Sequence, residues 1–113
     1  MSNYKKTNVG NEGRTELHEA LSLTGAEVSI NSLPAGASVP FVHSHKNNEE
    51  IYGVITGKGT VIIDGDTVEI TAGDWLKISP SAKRQFFAAS DSSITYMKEN
   101  SLDGFTVNDA IIY

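Results

Sequence analysis

A chain of 113 residues with a net charge of −5, 39% hydrophobic and 20% charged, has the size and make-up of one globular domain, long enough to bury about two-thirds of its extended-chain surface. The acidic balance, with no basic cluster beyond Lys5-Lys6 and Lys83-Arg84, argues against nucleic acid and anionic membranes as partners, since both need a cationic face. No apolar run approaches the ~20 residues that cross a bilayer and the N-terminus lacks the apolar stretch of a secretory signal, so a cytoplasmic protein is expected.

Residues 1–13 are polar and follow neither the helical nor the strand period; a loose arm is expected, able in a small barrel to lie over a neighbouring subunit. In the next ten residues Leu17, Ala20 and Leu21 recur at helical spacing, enough for one or two turns, and His18 reads as a surface or capping residue. After Thr24-Gly25, residues 26–33 alternate, with Val28 and Ile30 on one face and Glu27, Ser29 and Asn31 on the other, the pattern of a half-buried strand. Pro34 to Gly36 reads as a turn. Residues 39–45 follow as a strand in which Val39, Phe41, His43 and His45 share a face.

Lys46-Asn47-Asn48 has turn chemistry and precedes a β-rich run over 50–57. Gly57-Lys58-Gly59 is expected to bound a hairpin to a strand over 60–64, and Asp64-Gly65-Asp66 to turn it into another over 67–71. Ala72-Gly73-Asp74 makes a further turn. In the strand over 75–78, Trp75 and Lys77 lie opposite Leu76 and Ile78. Beyond Pro80, strands are expected over 84–89, over 93–98 with Ile94 and Tyr96 alternating, and over 105–113. About nine short strands with almost no helix predict an all-β sandwich or barrel. The division is an N-terminal arm with a short helix over 1–25 and a barrel over 26–113.

The chemistry gathers in the middle of the chain. His43 and His45, two of three histidines, point to the same side of an extended strand, while Ser44 faces away. The turn that follows brings Glu49 or Glu50 back beside them. Without any cysteine, a metal would be held by N and O donors, and two imidazoles with a carboxylate suit Fe, Mn, Ni or Zn.

His43-x-His45, four residues, Glu50, six residues, Gly57 resembles the first motif of the cupin superfamily, with Gly36 ahead of it. The run from Gly73 through Pro80 and Ala82 to Gln85 resembles the second motif. There Ala82 stands at a glycine position and Gln85 at that of a fourth ligand, a histidine in the family. An additional residue near Ser79 leaves Arg84 as the other candidate for that place, where a permanent cation would grip an anionic substrate instead of a metal.

The resemblance spans residues 26–99 and implies a double-stranded β-helix, or jelly roll, with ligands inside. It selects Glu50 over Glu49 and gives the metal set His43, His45, Glu50 and Gln85, with a divalent transition metal as cofactor. Tyr52, in phase with Glu50, is the candidate catalytic residue, donating a proton or orienting substrate. The implied function is a metal-dependent enzyme of the isomerase, dioxygenase or lyase class acting on a small oxygenated metabolite. The alternative is a non-catalytic module that binds a sugar or similar metabolite with weak or absent metal. Ile51 and Ile55, on the outer face, point to a homodimer.

Overall fold

The computed structural model describes residues 3–10, 13–24, 26–101 and 110–113. Its elements in chain order are β1 (Arg14–Glu16), α1 (His18–Leu21), β2 (Ala26–Leu33), β3 (His43–His45), β4 (Glu50–Ile63), β5 (Asp66–Thr71), β6 (Trp75–Ile78), β7 (Arg84–Ala88), β8 (Ile94–Ser101) and β9 (Ala110–Ile112). Neighbouring strands pair antiparallel in the order β1-β2-β8-β4-β7-β3-β9, with β5 and β6 also on β4. No helix among the described residues is long and apolar enough to cross a membrane.

The jelly roll expected from the sequence is present, and β4 is the strand that builds it. Its first half pairs with β8 and β6 in one sheet, its second half with β7 and β5 in the other. Gly57-Lys58-Gly59 is therefore not a hairpin turn: the strand runs straight through it. The register against β8 shifts between Val54 and Thr56, and one extra residue on one strand reverses which parity faces inward. Glu50, Tyr52 and Val54 are buried before the shift, Gly59 and Val61 after it. Gly57 has φ +82°, and a Cβ there would lie 1.9 Å from the Ser93 carbonyl oxygen. The glycine signal marks this close approach of backbones.

Asp64-Gly65 is the turn expected, with φ of +49° and +86° between partners Ile63 and Asp66, the type I′ geometry that suits the twist of a hairpin. The strand expected over 39–45 is regular only at 43–45, with one earlier bridge from Ser38 to Phe87; Pro40 has no N–H to continue the ladder. Most of the segment expected as a strand over 105–113 lies outside the described residues, and its last part is β9. Within 14–23 the helical period accounts for one turn only. Arg14–Glu16 is an edge strand on β2, so the sheet reaches back beyond residue 26.

Val54, Val61, Ile70, Ile78, Phe86 and Ile94 form the apolar core, joined by Tyr52 and Tyr96. Three rings stack through it: Tyr52 lies 4.6 Å from Phe86, and Phe86 4.8 Å from Tyr96. At the β2 end the interior is polar. Glu27, Ser29 and Asn31 are the buried face of β2, with Val28 and Ile30 half-buried outside. Polar side chains can be buried there because partners meet them, as in Asn31 Nδ2 donating to Ser29 Oγ at 3.0 Å and Arg14 Nη1 to Asn31 Oδ1 at 3.0 Å.

Candidate metal centre

β3 carries His43 and His45 with their side chains in phase, and Ser44, on the opposite phase, bonds Tyr113 through the two hydroxyls at 3.0 Å. The imidazoles stand nearly perpendicular, centroids 5.2 Å apart, and Phe41 meets His43 edge-on at 5.9 Å. Glu50 opens β4 and is fully buried, whereas Glu49 is exposed. One donor atom from each of His43, His45 and Glu50 lies within 4.8 Å of the others.

Glu50 is the centre of this cluster. Its Oε2 is 3.1 Å from His45 Nε2 and 3.4 Å from Lys98 Nζ. Its Oε1 accepts a hydrogen bond from the Tyr52 hydroxyl and lies 3.9 Å from Arg84 Nη1. Burial alone would favour the neutral acid, but the His45 contact, the Lys98 charge and the Tyr52 hydroxyl outweigh it and hold the carboxyl below its usual range. Burial, then the adjacent Glu50, pushes the Tyr52 hydroxyl well above its ordinary value, so Tyr52 remains a donor. Burial lowers His43 to about 4 against the pull of Glu50, leaving a neutral imidazole near neutral pH.

Gln85 is not brought to this cluster. In β7 the buried residues are Arg84, Phe86 and Ala88, and Gln85, on the other phase, donates from Nε2 to the Val39 carbonyl at 2.7 Å. Arg84 is the residue in register opposite His43. It is fully buried, with Nη2 donating to the Ser79 carbonyl at 2.7 Å and Nη1 contacting Pro80 O at 3.5 Å. The expectation of Gln85 as fourth ligand is thereby corrected: the phase of β7 turns Arg84 inward and Gln85 to the other side, and a guanidinium stands opposite His43. Lys98 was not singled out in the sequence, although its parity with Ile94 and Tyr96 placed it inside. His18 sits away from the cluster, Nδ1 3.6 Å from Glu27 Oε2.

A model of the cupin domain matches residues 30–97. The chain belongs to the cupin family. A solved cupin protein from Bacteroides fragilis is 56% identical to it, with a TM-score of 0.85 over 100% of this chain and 99% of that one. The cupin fold is shared more distantly with a sugar phosphate isomerase from Silicibacter pomeroyi, 22% identical with a TM-score of 0.70 over 79% of this chain and 59% of that one. It is shared also with a salicylate 1,2-dioxygenase from Pseudaminobacter salicylatoxidans, 14% identical with a TM-score of 0.67 over 78% of this chain and 25% of that one. No curated protein matches the sequence.

The donor set of this cupin fits a divalent transition metal. His43 Nδ1 is buried and without a hydrogen-bond partner, a cost that a purely structural polar core would have to carry. Two imidazoles and one carboxylate leave open positions for a substrate oxygen. The departure from the family pattern is equally concrete, since Arg84 cannot ligate and Lys98 already contacts the Glu50 oxygen.

Proposed function

We propose that this cupin is a metal-dependent enzyme of the isomerase, dioxygenase or lyase class, acting on a small oxygenated metabolite, with Fe, Mn, Ni or Zn held by His43, His45 and Glu50. The convergence of those three donors within 4.8 Å carries the reading. A metal there would supply Lewis acidity toward a bound carbonyl or enediol, or a site for O2. The protein's own contribution is positional. Tyr52 keeps its proton and directs it at Glu50, which fixes the carboxylate; displaced toward a ligand, the same hydroxyl is placed to donate. Phe41 and the Tyr52-Phe86-Tyr96 stack wall the pocket with rings that exclude water. Turnover of small hydroxy and keto compounds should disappear on chelation, return with one of the four metals and be absent in Glu50→Gln. Turnover indifferent to chelation contradicts the proposal.

The second reading, a non-catalytic metabolite-binding module with weak metal, is supported by Arg84 at the fourth-ligand place and by Lys98 on Glu50. Ligand binding unchanged by metal removal, without turnover, is its signature.

We also infer a homodimer formed through the outside of the β2-β8-β4-β6 sheet. Ile30, Met97, Gly53 and Trp75 lie in one cross-strand row, beside Ile51 and Ile55, and Trp75, Ile51 and Ile55 are exposed. The Trp75 ring covers Gly53 so closely that a Cβ there would fall 2.4 Å from it, which lays the indole flat along the sheet. Exposed apolar side chains grouped in this way, with Lys77 and Glu99 beside Ile51, favour burial. Light scattering should give twice 12.2 kDa at micromolar concentration, and Trp75→Glu should shift it toward monomer; a wild-type monomer refutes the dimer.

A further inference from the structure

The pocket above the candidate metal centre has a volume of about 400 Å³, in the range of small-molecule sites. Its wall carries two cations, Arg14 and Lys98, and no carboxylate among the described lining residues, in a protein whose net charge is −5. Glu50 is fully buried behind this wall and is shared by Lys98 and Arg84, so two buried cations face one buried carboxylate. Glu27, on the buried face of β2, meets His18 through Oε2 and also feels the Lys98 and Arg14 charges, but it is not one of the residues lining the pocket. Desolvating a cation in a pocket wall is costly, and an anionic ligand beside it offsets that cost.

Both wall cations have donors to spare. Lys98 has one ion-pair contact, to Glu50, of three N–H donors. Arg14 uses three of its five donors, two on Glu16 and one on Asn31, which braces the guanidinium at the pocket edge. Cross-strand register aligns Arg14 with Asn31, and Ser29 with Lys98, so both cations rise from the same inner face. The rest of the wall is mainly apolar, with Leu33, Val39, Phe41, Phe86 and Ile112 prominent. Such a wall suits a singly charged head on an apolar body better than a compact, strongly hydrated dianion.

We infer that the ligand of this pocket is a small carboxylate with an apolar or aromatic body, its carboxylate received by Lys98 and Arg14. The inference deepens the proposed function, on which it rests for the location of the site, but it does not require the metal.

The test uses benzoate and hexanoate, each beside its neutral amide, with inorganic phosphate as a charge without a body. Each is titrated calorimetrically into chelator-stripped protein and into protein reloaded with Mn(II). At least one carboxylate should bind the stripped protein about tenfold or more tighter than its amide, the scale of a charge-assisted hydrogen bond, and phosphate should bind more weakly than that carboxylate. Lys98→Met should remove the preference for carboxylate over amide while amide binding persists. Arg14→Gln, at the half-open edge and with circular dichroism as the folding control, should reduce the preference severalfold.

No binding of either carboxylate at millimolar concentration overturns the inference, as does equal binding of acid and amide, or a preference that survives in both variants. Carboxylate binding that needs Mn(II) and ignores Lys98 and Arg14 also overturns it, while leaving the metal reading intact. Carboxylate binding in stripped protein that takes up no Mn(II) on reloading supports the inference and removes the metal.

Discussion

Arg84→Met is expected to destabilise the protein by about 3 kcal/mol or more, the scale for removing one partner from a buried ionic cluster. The guanidinium is fully buried and ties the chain at Ser79 and Pro80 to β7 while facing Glu50. Methionine matches its length and apolar stem but leaves those carbonyls without their donor and Glu50 with one cation fewer. In a domain of this size the melting temperature should fall on the order of 10 °C. Because the cost arises from a network, Arg84→Met with Glu50→Gln should cost less than the sum of the two single changes. Thermal and urea denaturation of the three variants measures this. An unchanged melting temperature in Arg84→Met would mean that the guanidinium contributes nothing to holding the cluster.

The second large effect is expected at His45. Removing one of three strong donors leaves an imidazole and a carboxylate competing with water for the ion, and affinity for divalent transition metals should fall by roughly a hundredfold or more, beyond what is lost when only a supporting residue around a metal is changed. His45→Ala should remain folded, since the ring is held in the pocket wall while the apolar core around Val61 and Phe86 is untouched. Competition against a chelator, with circular dichroism as the folding control, reads both. Retention of metal at wild-type affinity in a folded His45→Ala would remove His45 from the ligand set.

Much of this was legible in the sequence because it depends on strand parity. His43 and His45 share a side through a period of two, Glu50 and Tyr52 do likewise, and both pairs are found where that period puts them. Parity fails wherever one residue is inserted. The register of β4 shifts after Val54, and the strand runs on through a segment that reads locally as a turn, because glycine there answers a close approach of backbones, a Cβ at Gly57 falling 1.9 Å from the Ser93 carbonyl oxygen, that only the folded sheet reveals. On β7 the spacing around Pro80 left the phase open between Gln85 and Arg84, and the strand turns Arg84 inward. On β2, alternation separated polar from apolar residues correctly but could not say which face was inner. A polar interior at that end depends on Arg14, Lys98 and Asn100, which β1 and β8 bring from distant parts of the chain.

The central claim is that three donors hold the metal and that a guanidinium closes the fourth place. A competition titration of wild type beside Gln85→His, against the same chelator and with Mn(II), Fe(II), Ni(II) and Zn(II) in turn, tests it most directly. The account predicts one ion per chain and the same affinity in both proteins, because the new imidazole would point with Gln85 toward Val39 and away from His43. A wild type that binds none of the four ions, or a Gln85→His variant that binds distinctly tighter, would contradict it.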